Sequence, residues 1–168
     1  MQSSEKIMLQ LDKWLIDKGE TRYQEDDKNA TEAYENFYLN PLPAIQQNRN
    51  EIENFIKILL NKKEKKICLE VGLGHYGSTH FIWRQIFDKT ITIEADWSRV
   101  KDFGLNMTNF HGKYVLGDKK SHFIHGFSYN PKSLLSLKEI LKNEKLDFLF
   151  IDGDHKYESI MADYLLYK

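Results

Sequence analysis

The sequence predicts an α/β fold in which an open, mostly parallel sheet carries flanking helices and is preceded by N-terminal helices. Short, nearly continuous apolar runs at residues 67–71 and 146–152 suit strands that are buried on both faces. Segments with helical spacing of apolar residues follow the strand candidates, and alternation of strands with helices is typical of parallel sheets. Residues 1 to about 60 show helical spacing and no strand candidate.

Two regions are expected, an N-terminal helical segment at residues 1–62 and a sheet-containing domain at residues 63–168. The helical segment is expected to cap the domain or to mediate dimerisation. Its first helix follows the candidate N-cap residues Ser3 and Ser4 and ends at Gly19. Its other predicted elements are a loop at 20–29, a short helix at 31–39 that ends before Pro41 and Pro43, and an amphipathic helix at 45–60.

In the domain, strand and helix patterns alternate. The predicted strands are residues 67–71, 90–94, 122–125 and 146–152, with an extra candidate at 114–116. The predicted helices are residues 79–87, 97–105, 132–142 and the segment from residue 157 to the C-terminus.

Composition and charge exclude several classes of protein. The 41% of hydrophobic and 13% of aromatic residues are enough for a packed core, which excludes a disordered chain. The net charge of −1 gives no positive excess for binding nucleic acid or a membrane surface. The single cysteine excludes a disulfide framework and a multi-cysteine zinc site. Because the sequence has neither a signal-peptide pattern nor an apolar run of roughly 18–20 residues, we expect a cytoplasmic protein.

A glycine-rich turn follows the first strand candidate, in the order Glu70-Val71-Gly72-Leu73-Gly74-His75-Tyr76-Gly77-Ser78. Glycines permit a tight turn there, and the N–H groups of the helix start favour an anionic or polar ligand group. Glu94 ends the second strand candidate, where a carboxylate can accept hydrogen bonds from the ribose hydroxyls of an adenosine ligand. Glu70 lies inside an apolar strand, where a carboxylate is costly unless it is hydrogen-bonded. Packing alone could also account for the glycines, and Glu94 could be a solvated acid at a strand end.

The segment from Leu69 to Gly77 resembles motif I of class I S-adenosylmethionine-dependent methyltransferases, which have a Rossmann-like domain. In that family the first acid orders the glycine loop and contacts the methionine part of the cofactor, whereas the glycines make room for the cofactor. The acid after the second strand holds the ribose. The resemblance implies a cofactor-binding set of Glu70, Gly72, Gly74 and Glu94, with Gly77 and Ser78 at the helix start and Ala95 beside the adenine.

A second motif, Phe-Ile-Asp-Gly-Asp-His at residues 150–155, follows the last strand candidate. On a purely structural interpretation, Asp152 or Asp154 caps the helix that follows. The motif is similar to that of small-molecule O-methyltransferases, in particular the cephalosporin hydroxylase-like branch. Related metal-dependent enzymes place a magnesium-binding acid at this strand end and a base three residues later. The resemblance therefore implies catalytic roles for Asp152 and for His155 as the base, and a site for Mg²⁺ or another divalent cation at Asp152 and Asp154.

Two features depart from the family pattern. The third strand commonly ends in an acid that meets the adenine, but here the chain reads Gly126-Phe127-Ser128. Ser128 is therefore the candidate cofactor contact, and Phe127 is a candidate packing partner of the adenine. The family has seven strands, and only about four are predicted here. We accordingly expect a domain that is truncated at its C-terminus or completed by a partner chain.

The expected function is S-adenosylmethionine-dependent O-methylation of a small-molecule acceptor, with a sugar as one candidate. One alternative is a catalytically inactive or partner-dependent module that binds S-adenosylmethionine. The other is an NAD-dependent oxidoreductase, because the glycine spacing and Glu94 also fit that class. The expected partners are the acceptor and, as a candidate assembly, a homo-oligomer, but neither nucleic acid nor a membrane.

Overall fold

The computed structural model describes residues 3–17, 47–74, 77–96 and 120–168. The chain divides into two compact units, Met1–Lys62 and Lys63–Lys168. Several predicted elements lie outside the described residues: the loop at 20–29, the helices at 31–39 and 97–105, and the strand candidate at 114–116.

The first unit contains two described helices, α1 (Ser4–Asp17) and α2 (Arg49–Leu60). Helix α1 begins as predicted, since the Ser3 hydroxyl accepts a hydrogen bond from the backbone N–H of Lys6. Helix α2 begins later than predicted because the side chain of Asn48 accepts hydrogen bonds from two N–H groups of its first turn. The two helices are joined by an ion pair of 2.6 Å between Arg49 and Asp12.

The second unit consists of four strands and three helices in its described parts. In chain order these are β1 (Ile67–Val71), α3 (Ser78–Ile86), β2 (Lys89–Glu94), β3 (Ser121–His125), α4 (Pro131–Leu141), β4 (Phe148–Ile151) and α5 (Tyr157–Tyr167). The sequence predicted the bounds of each of them to within one residue, apart from the start of β4. Strand β4 begins later because the Asp147 carboxylate accepts hydrogen bonds from the N–H groups of Lys66 and Ile67, next to the start of β1.

The four strands form one sheet in the order β3-β2-β1-β4, and all three neighbouring pairs are parallel. This confirms the predicted open parallel sheet. The chain proceeds from β1 outward to β3 and then returns past β1 to form β4. In open α/β sheets, ligands bind at the carboxyl ends of the strands where the strand order reverses in this way.

Apolar side chains cover both faces of the sheet. On one face, residues of β1, β2 and β3 form a buried cluster with Leu137 of α4 and Tyr167 of α5. On the other face, Trp83 of α3 lies edge-on against Phe148 and Phe150 of β4, at centroid distances of 5.4 and 5.1 Å. Helices on both sides explain why every residue of β1 is buried.

Strand β4 lies at one edge of the sheet, and its four residues are all only half-buried. Helix α5 after it exposes several large apolar side chains, namely Tyr157, Ile160, Tyr164, Leu165 and Leu166. The sequence predicted that a fourth strand at the edge would leave apolar surface uncovered, and the structure has this arrangement. None of the described helices is long and apolar enough to cross a membrane.

Candidate functional site

A cleft of about 430 Å³ lies at the carboxyl end of the sheet in the second unit. This volume falls within the range of roughly 300–1,000 Å³ that is typical of small-molecule sites. Each of the four strands contributes the residues at its end, and α5 contributes one side. The lining residues are Val71 and Gly72 at the end of β1, Ile93 to Asp96 at the end of β2, Gly126 to Tyr129 after β3, Asp152 to Asp154 after β4, and Ser159, Ala162 and Asp163 of α5.

Backbone hydrogen bonds continue beyond the strand ends and fix this edge. The N–H of Gly72 donates to the carbonyl oxygen of Ile93 at 2.9 Å, and the N–H of Asp152 donates to that of Val71 at 2.8 Å. The N–H of Gly126 donates to the carbonyl oxygen of Glu94 at 3.0 Å. The floor of the cleft is therefore built from paired backbone, which holds the functional side chains in place.

The predicted glycines have different local roles. Gly72 has φ +91°, and a Cβ there would lie 2.4 Å from the carbonyl oxygen of Asp152, so packing between β1 and β4 requires glycine. Gly74 also has a positive φ, +68°, but a Cβ there would meet no atom of the described residues within 4 Å. Gly77, at φ +66°, is the residue before α3, and Ser78 is buried as the first residue of that helix. Of these four, only Gly72 lines the cleft.

Glu94 lies in the cleft and also holds the glycine turn in place. Its side chain is 5% exposed. One carboxylate oxygen, Oε2, accepts a hydrogen bond of 2.8 Å from the N–H of Leu73, and Oε1 accepts one of 2.8 Å from the N–H of Asp96. A carboxylate can accept about four hydrogen bonds, so these contacts are compatible with ribose hydroxyls as further donors.

Glu70 belongs to a buried polar network next to α3 and is not among the residues that line the cleft. Its Oε2 accepts a hydrogen bond of 2.6 Å from the hydroxyl of Thr92, whose oxygen lies 2.7 Å from Nδ1 of His80. The other ring nitrogen, Nε2, lies 3.0 Å from the hydroxyl of Ser121. Within the described parts of the chain, Oε1 of Glu70 has no hydrogen-bond partner. The contact of Glu70 with a cofactor stays a prediction.

The network joins β1, β2, β3 and α3. Each of these three contacts is a hydrogen bond with one donor and one acceptor when neutral His80 carries its proton on Nδ1. The Ser121 hydroxyl then donates to Nε2, Nδ1–H donates to Thr92, and Thr92 donates to Glu70. This network could not be predicted from the sequence, because the residues that join His80 in it lie on three separate strands. An acid inside an apolar strand was the one signal for it in the sequence.

The second motif brings Asp152 and His155 together at the end of β4. Nε2 of His155 lies 3.3 Å from Oδ1 of Asp152. Asp152 lines the cleft, whereas the His155 side chain is 69% exposed and lies outside the lining. The pair is thus positioned beside the cleft, as two side chains that follow the same strand would be.

Asp154 lines the cleft and also holds the start of α5. It accepts hydrogen bonds from the Ser159 hydroxyl at 2.8 Å and from the Lys156 N–H at 3.3 Å. The hydrogen bond from Ser159 is the main cause that lowers the pKa of Asp154 below its usual value. The capping role considered for this residue is therefore present.

The described residues do not fit a divalent cation at this place. The Asp154 oxygens accept hydrogen bonds from residues at the start of α5, and the described residues contain no group of three or more His, Cys, Asp or Glu side chains that could hold a metal. The metal site at Asp152 and Asp154 therefore gains no support from this part of the chain.

Ala95 and Ser128 line the cleft as the sequence analysis expected of cofactor contacts. Next to Ser128, the rings of Phe127 and Tyr129 stack on each other at a centroid distance of 5.4 Å. Both aromatic side chains are more than half exposed. This side of the cleft thus offers aromatic surface.

Helix α5 supplies a side of the cleft that the sequence analysis missed. Ser159, Ala162 and Asp163 share one helical face with Tyr167, whose hydroxyl donates a hydrogen bond to the carbonyl oxygen of Ser128. Asp163 is 5% exposed. A single acid within the apolar run from Ile160 to Tyr167 was the available signal, of the same kind as Glu70 in β1.

Solved structures of methyltransferases share this architecture. A putative caffeoyl-CoA O-methyltransferase from Staphylococcus aureus has a TM-score of 0.52 and 20% identity, over 93% of this chain and 68% of that chain. The O-methyltransferase from Bacillus cereus, in complex with SAH, has a TM-score of 0.50 and 20% identity, over 84% of this chain and 62% of that chain. No protein-family model and no curated protein matches the sequence.

The two O-methyltransferases and the strand order decide the fold. The chain has the Rossmann-like fold of class I methyltransferases. A precorrin 8W decarboxylase from Methanobacterium thermoautotrophicum is more distant, with a TM-score of 0.47 and 18% identity over 73% of this chain and 59% of that chain. The chain spans less than two thirds of the length of that protein and of the Bacillus cereus enzyme.

Proposed function

We propose that the chain binds S-adenosylmethionine and transfers its methyl group to a hydroxyl of a small molecule. The observation that carries the proposal is the position of Glu94. Its buried carboxylate faces a cleft at the strand ends and is hydrogen-bonded to the glycine turn. A ribose held there lies between the glycine turn after β1 and the aromatic side chains after β3.

The described residues fit this cofactor. The cleft volume of about 430 Å³ suits a nucleoside with a short side chain. Ala95 and Phe127 line the cleft and offer contacts for a base. Fold similarity to a methyltransferase in complex with SAH agrees with this choice.

Catalysis then depends mainly on alignment of the acceptor with the methyl group. The cofactor supplies an electrophilic methyl group on a sulfonium. Asp152 contacts Nε2 of His155 and favours the tautomer with the proton on that nitrogen, so that Nδ1 can accept the hydroxyl proton of the acceptor. No step is assigned to a metal ion.

Calorimetric titration of the full chain with S-adenosylmethionine, S-adenosylhomocysteine and NAD tests the binding step. We expect both sulfur nucleotides to bind and NAD not to bind. Glu94→Gln should weaken binding of the sulfur nucleotides by at least about tenfold, which is roughly 1.4 kcal/mol. The matched control is Glu139→Gln, which removes the same charge from an exposed position in α4 and should leave the affinity unchanged.

Transfer of a radiolabelled methyl group to a panel of catechols and hydroxylated sugars tests the chemical step. Binding without transfer to any acceptor would favour the inactive or partner-dependent module. Preference for NAD would favour the oxidoreductase. Equal affinity of Glu94→Gln and the wild type would remove Glu94 from the site.

A further inference from the structure

Asp163 is a buried acid that lines the cleft, and no donor to its carboxylate is found among the described residues. It is 5% exposed. Among the described residues, no hydrogen bond or ion pair to its side chain is found, whereas the two other buried acids, Glu70 and Glu94, both accept hydrogen bonds. Burial of a carboxylate is costly unless a donor compensates for the lost water. Because Asp163 lines the cleft, a ligand bound there can supply such a donor.

The position of Asp163 is fixed by the path of α5. This helix starts after β4, at one edge of the sheet, and its last turn is tied to Ser128, after β3 at the other edge. Its 11 residues give a length of roughly 16 Å, and three strand spacings come to roughly 14 Å, so the helix spans the width of the sheet. Asp163, one turn before Tyr167, therefore lies towards the β3 side of the cleft.

The negative charge of Asp163 acts on Tyr167, which lies one turn further along α5. Burial, followed by the nearby Asp163 carboxylate, raises the pKa of Tyr167 to about 12. The Tyr167 hydroxyl itself donates to Ser128 and does not compensate Asp163.

The surroundings suit the base of a nucleoside. Phe127 and Tyr129 provide exposed aromatic surface on the same side of the cleft. Glu94, at the end of β2, lies between this side of the cleft and the glycine turn. The resemblance to methyltransferases implies that the methionine part of the cofactor lies at the glycine turn. A nucleoside held by its ribose at Glu94 therefore directs its base towards β3 and α5. The chain has no acid at the end of β3 itself, where residues 126–128 read Gly-Phe-Ser.

We infer that Asp163 accepts a hydrogen bond from the 6-amino group of the cofactor's adenine and selects adenine over a 6-oxo base. This inference rests on the proposed function, since it concerns the same cofactor. Helix α5 thus supplies from the side the acceptor that the end of β3 lacks. A 6-oxo base would set its oxygen against the carboxylate and leave Asp163 without that donor, and such mismatches at buried polar groups discriminate strongly.

The test compares S-adenosylhomocysteine with its 6-oxo analogue, S-inosylhomocysteine, by calorimetric titration. Wild-type protein should bind the 6-amino ligand at least about tenfold more tightly. Asp163→Asn offers both a donor and an acceptor, so the ratio of affinities should fall to within about threefold. Glu158→Gln removes one negative charge from an exposed position of the same helix and should keep the wild-type ratio.

The outcomes separate this inference from the proposed function. If the wild type binds neither ligand, both fail. If it binds both equally, or if Asp163→Asn keeps the wild-type ratio, the proposed function stands and the inference is overturned. The wild-type ratio decides the matter even if Asp163→Asn does not fold. Equal loss of affinity for both ligands in Asp163→Asn would also overturn the inference, because it would assign Asp163 a role away from the amino group.

Discussion

At the scale of single residues, the sheet contains buried polar groups whose contribution to stability depends on their hydrogen-bond partners. Thr90 and Thr92 both lie in β2, point to the same face and are 0% exposed. Thr92 donates to Glu70 and contacts His80. The hydroxyl of Thr90 has no hydrogen-bond partner within the described residues. The two threonines are therefore a matched pair for measuring what the buried network contributes.

Thr92→Val should lower the free energy of unfolding by about 1–3 kcal/mol, because Glu70 and His80 each lose a buried partner. Thr90→Val should be neutral or slightly stabilising, since it removes a hydroxyl that gains nothing in the folded state. Urea denaturation of the two variants and the wild type provides the measurement. Equal destabilisation by both substitutions would show that the network adds nothing beyond side-chain volume.

The sequence predicted some of these residues and not others, for a physical reason. Glu94 and the glycines are separated by the distance that a strand, a turn, a helix and a second strand require, so spacing alone places them together. Asp152 and His155 follow the same strand, so their proximity can be predicted without knowing how the strands are arranged in the sheet. In contrast, His80 meets Ser121 41 residues further on, and Asp163 reaches the cleft through the path of a helix. Such contacts depend on tertiary packing, which spacing does not encode.

At the scale of elements, the turn between β1 and α3 contains one glycine that packing requires, Gly72, and one that packing against the described residues does not require, Gly74. A methyl group on Gly72 would collide with the backbone of Asp152 and Gly153, which belongs to a paired strand end and cannot move aside cheaply. At Gly74 an added Cβ would meet no described atom within 4 Å, so the strain of the positive φ is the cost expected there.

Gly72→Ala should therefore prevent folding of the second unit or lower its free energy of unfolding by several kcal/mol. Gly74→Ala should cost only about 1–2 kcal/mol, from the left-handed backbone conformation. Circular dichroism during thermal unfolding compares the two variants. A stable Gly72→Ala protein would mean that β4 does not pack against the turn as described.

Helix α5 is held at its last turn by Tyr167, and this anchor is sensitive to pH. The pKa of Tyr167 is raised from 10.0 to about 12, so the folded state retains the phenol proton more strongly than the unfolded chain does. Its contribution to stability is fully present below pH 10 and is lost as the pH rises towards 12.

Urea denaturation between pH 8 and pH 11.5 should show this loss in the wild type and a smaller one in Tyr167→Phe. The variant should be less stable at neutral pH, because it lacks the hydrogen bond to Ser128. The difference in stability between wild type and variant should shrink as the pH rises. A constant difference across this range would contradict the raised pKa.

At the scale of the whole molecule, the parallel arrangement of the strands follows from the alternation of strands and helices, and the sequence predicted it. The incomplete burial of β4 was also expected from an apolar strand at the edge of the sheet, whereas the exposed apolar side chains of α5 were not predicted. The sequence could not show that α5 crosses the sheet towards β3, because its apolar residues are distributed around the whole helix and do not define one buried face.

Cys68 allows the stability of the sheet to be measured as a whole. It is the single cysteine, it lies in the central strand β1, and it is 0% exposed. Burial, followed by the nearby charge of Glu70, raises the pKa of its thiol well above the usual value. The thiolate that reacts with labelling reagents therefore forms only after the sheet opens.

We expect the native protein to react with a thiol reagent far more slowly than the urea-unfolded chain does. The labelling rate should follow the equilibrium population of the unfolded second unit when reclosing is faster than labelling. Thr92→Val should then raise the rate about 5- to 150-fold, which corresponds to its expected loss of about 1–3 kcal/mol, while Thr90→Val should leave the rate near that of the wild type. If Cys68 reacts at the same rate in all three proteins, it is reached through a local opening of β1, and the sheet does not unfold as one cooperative unit.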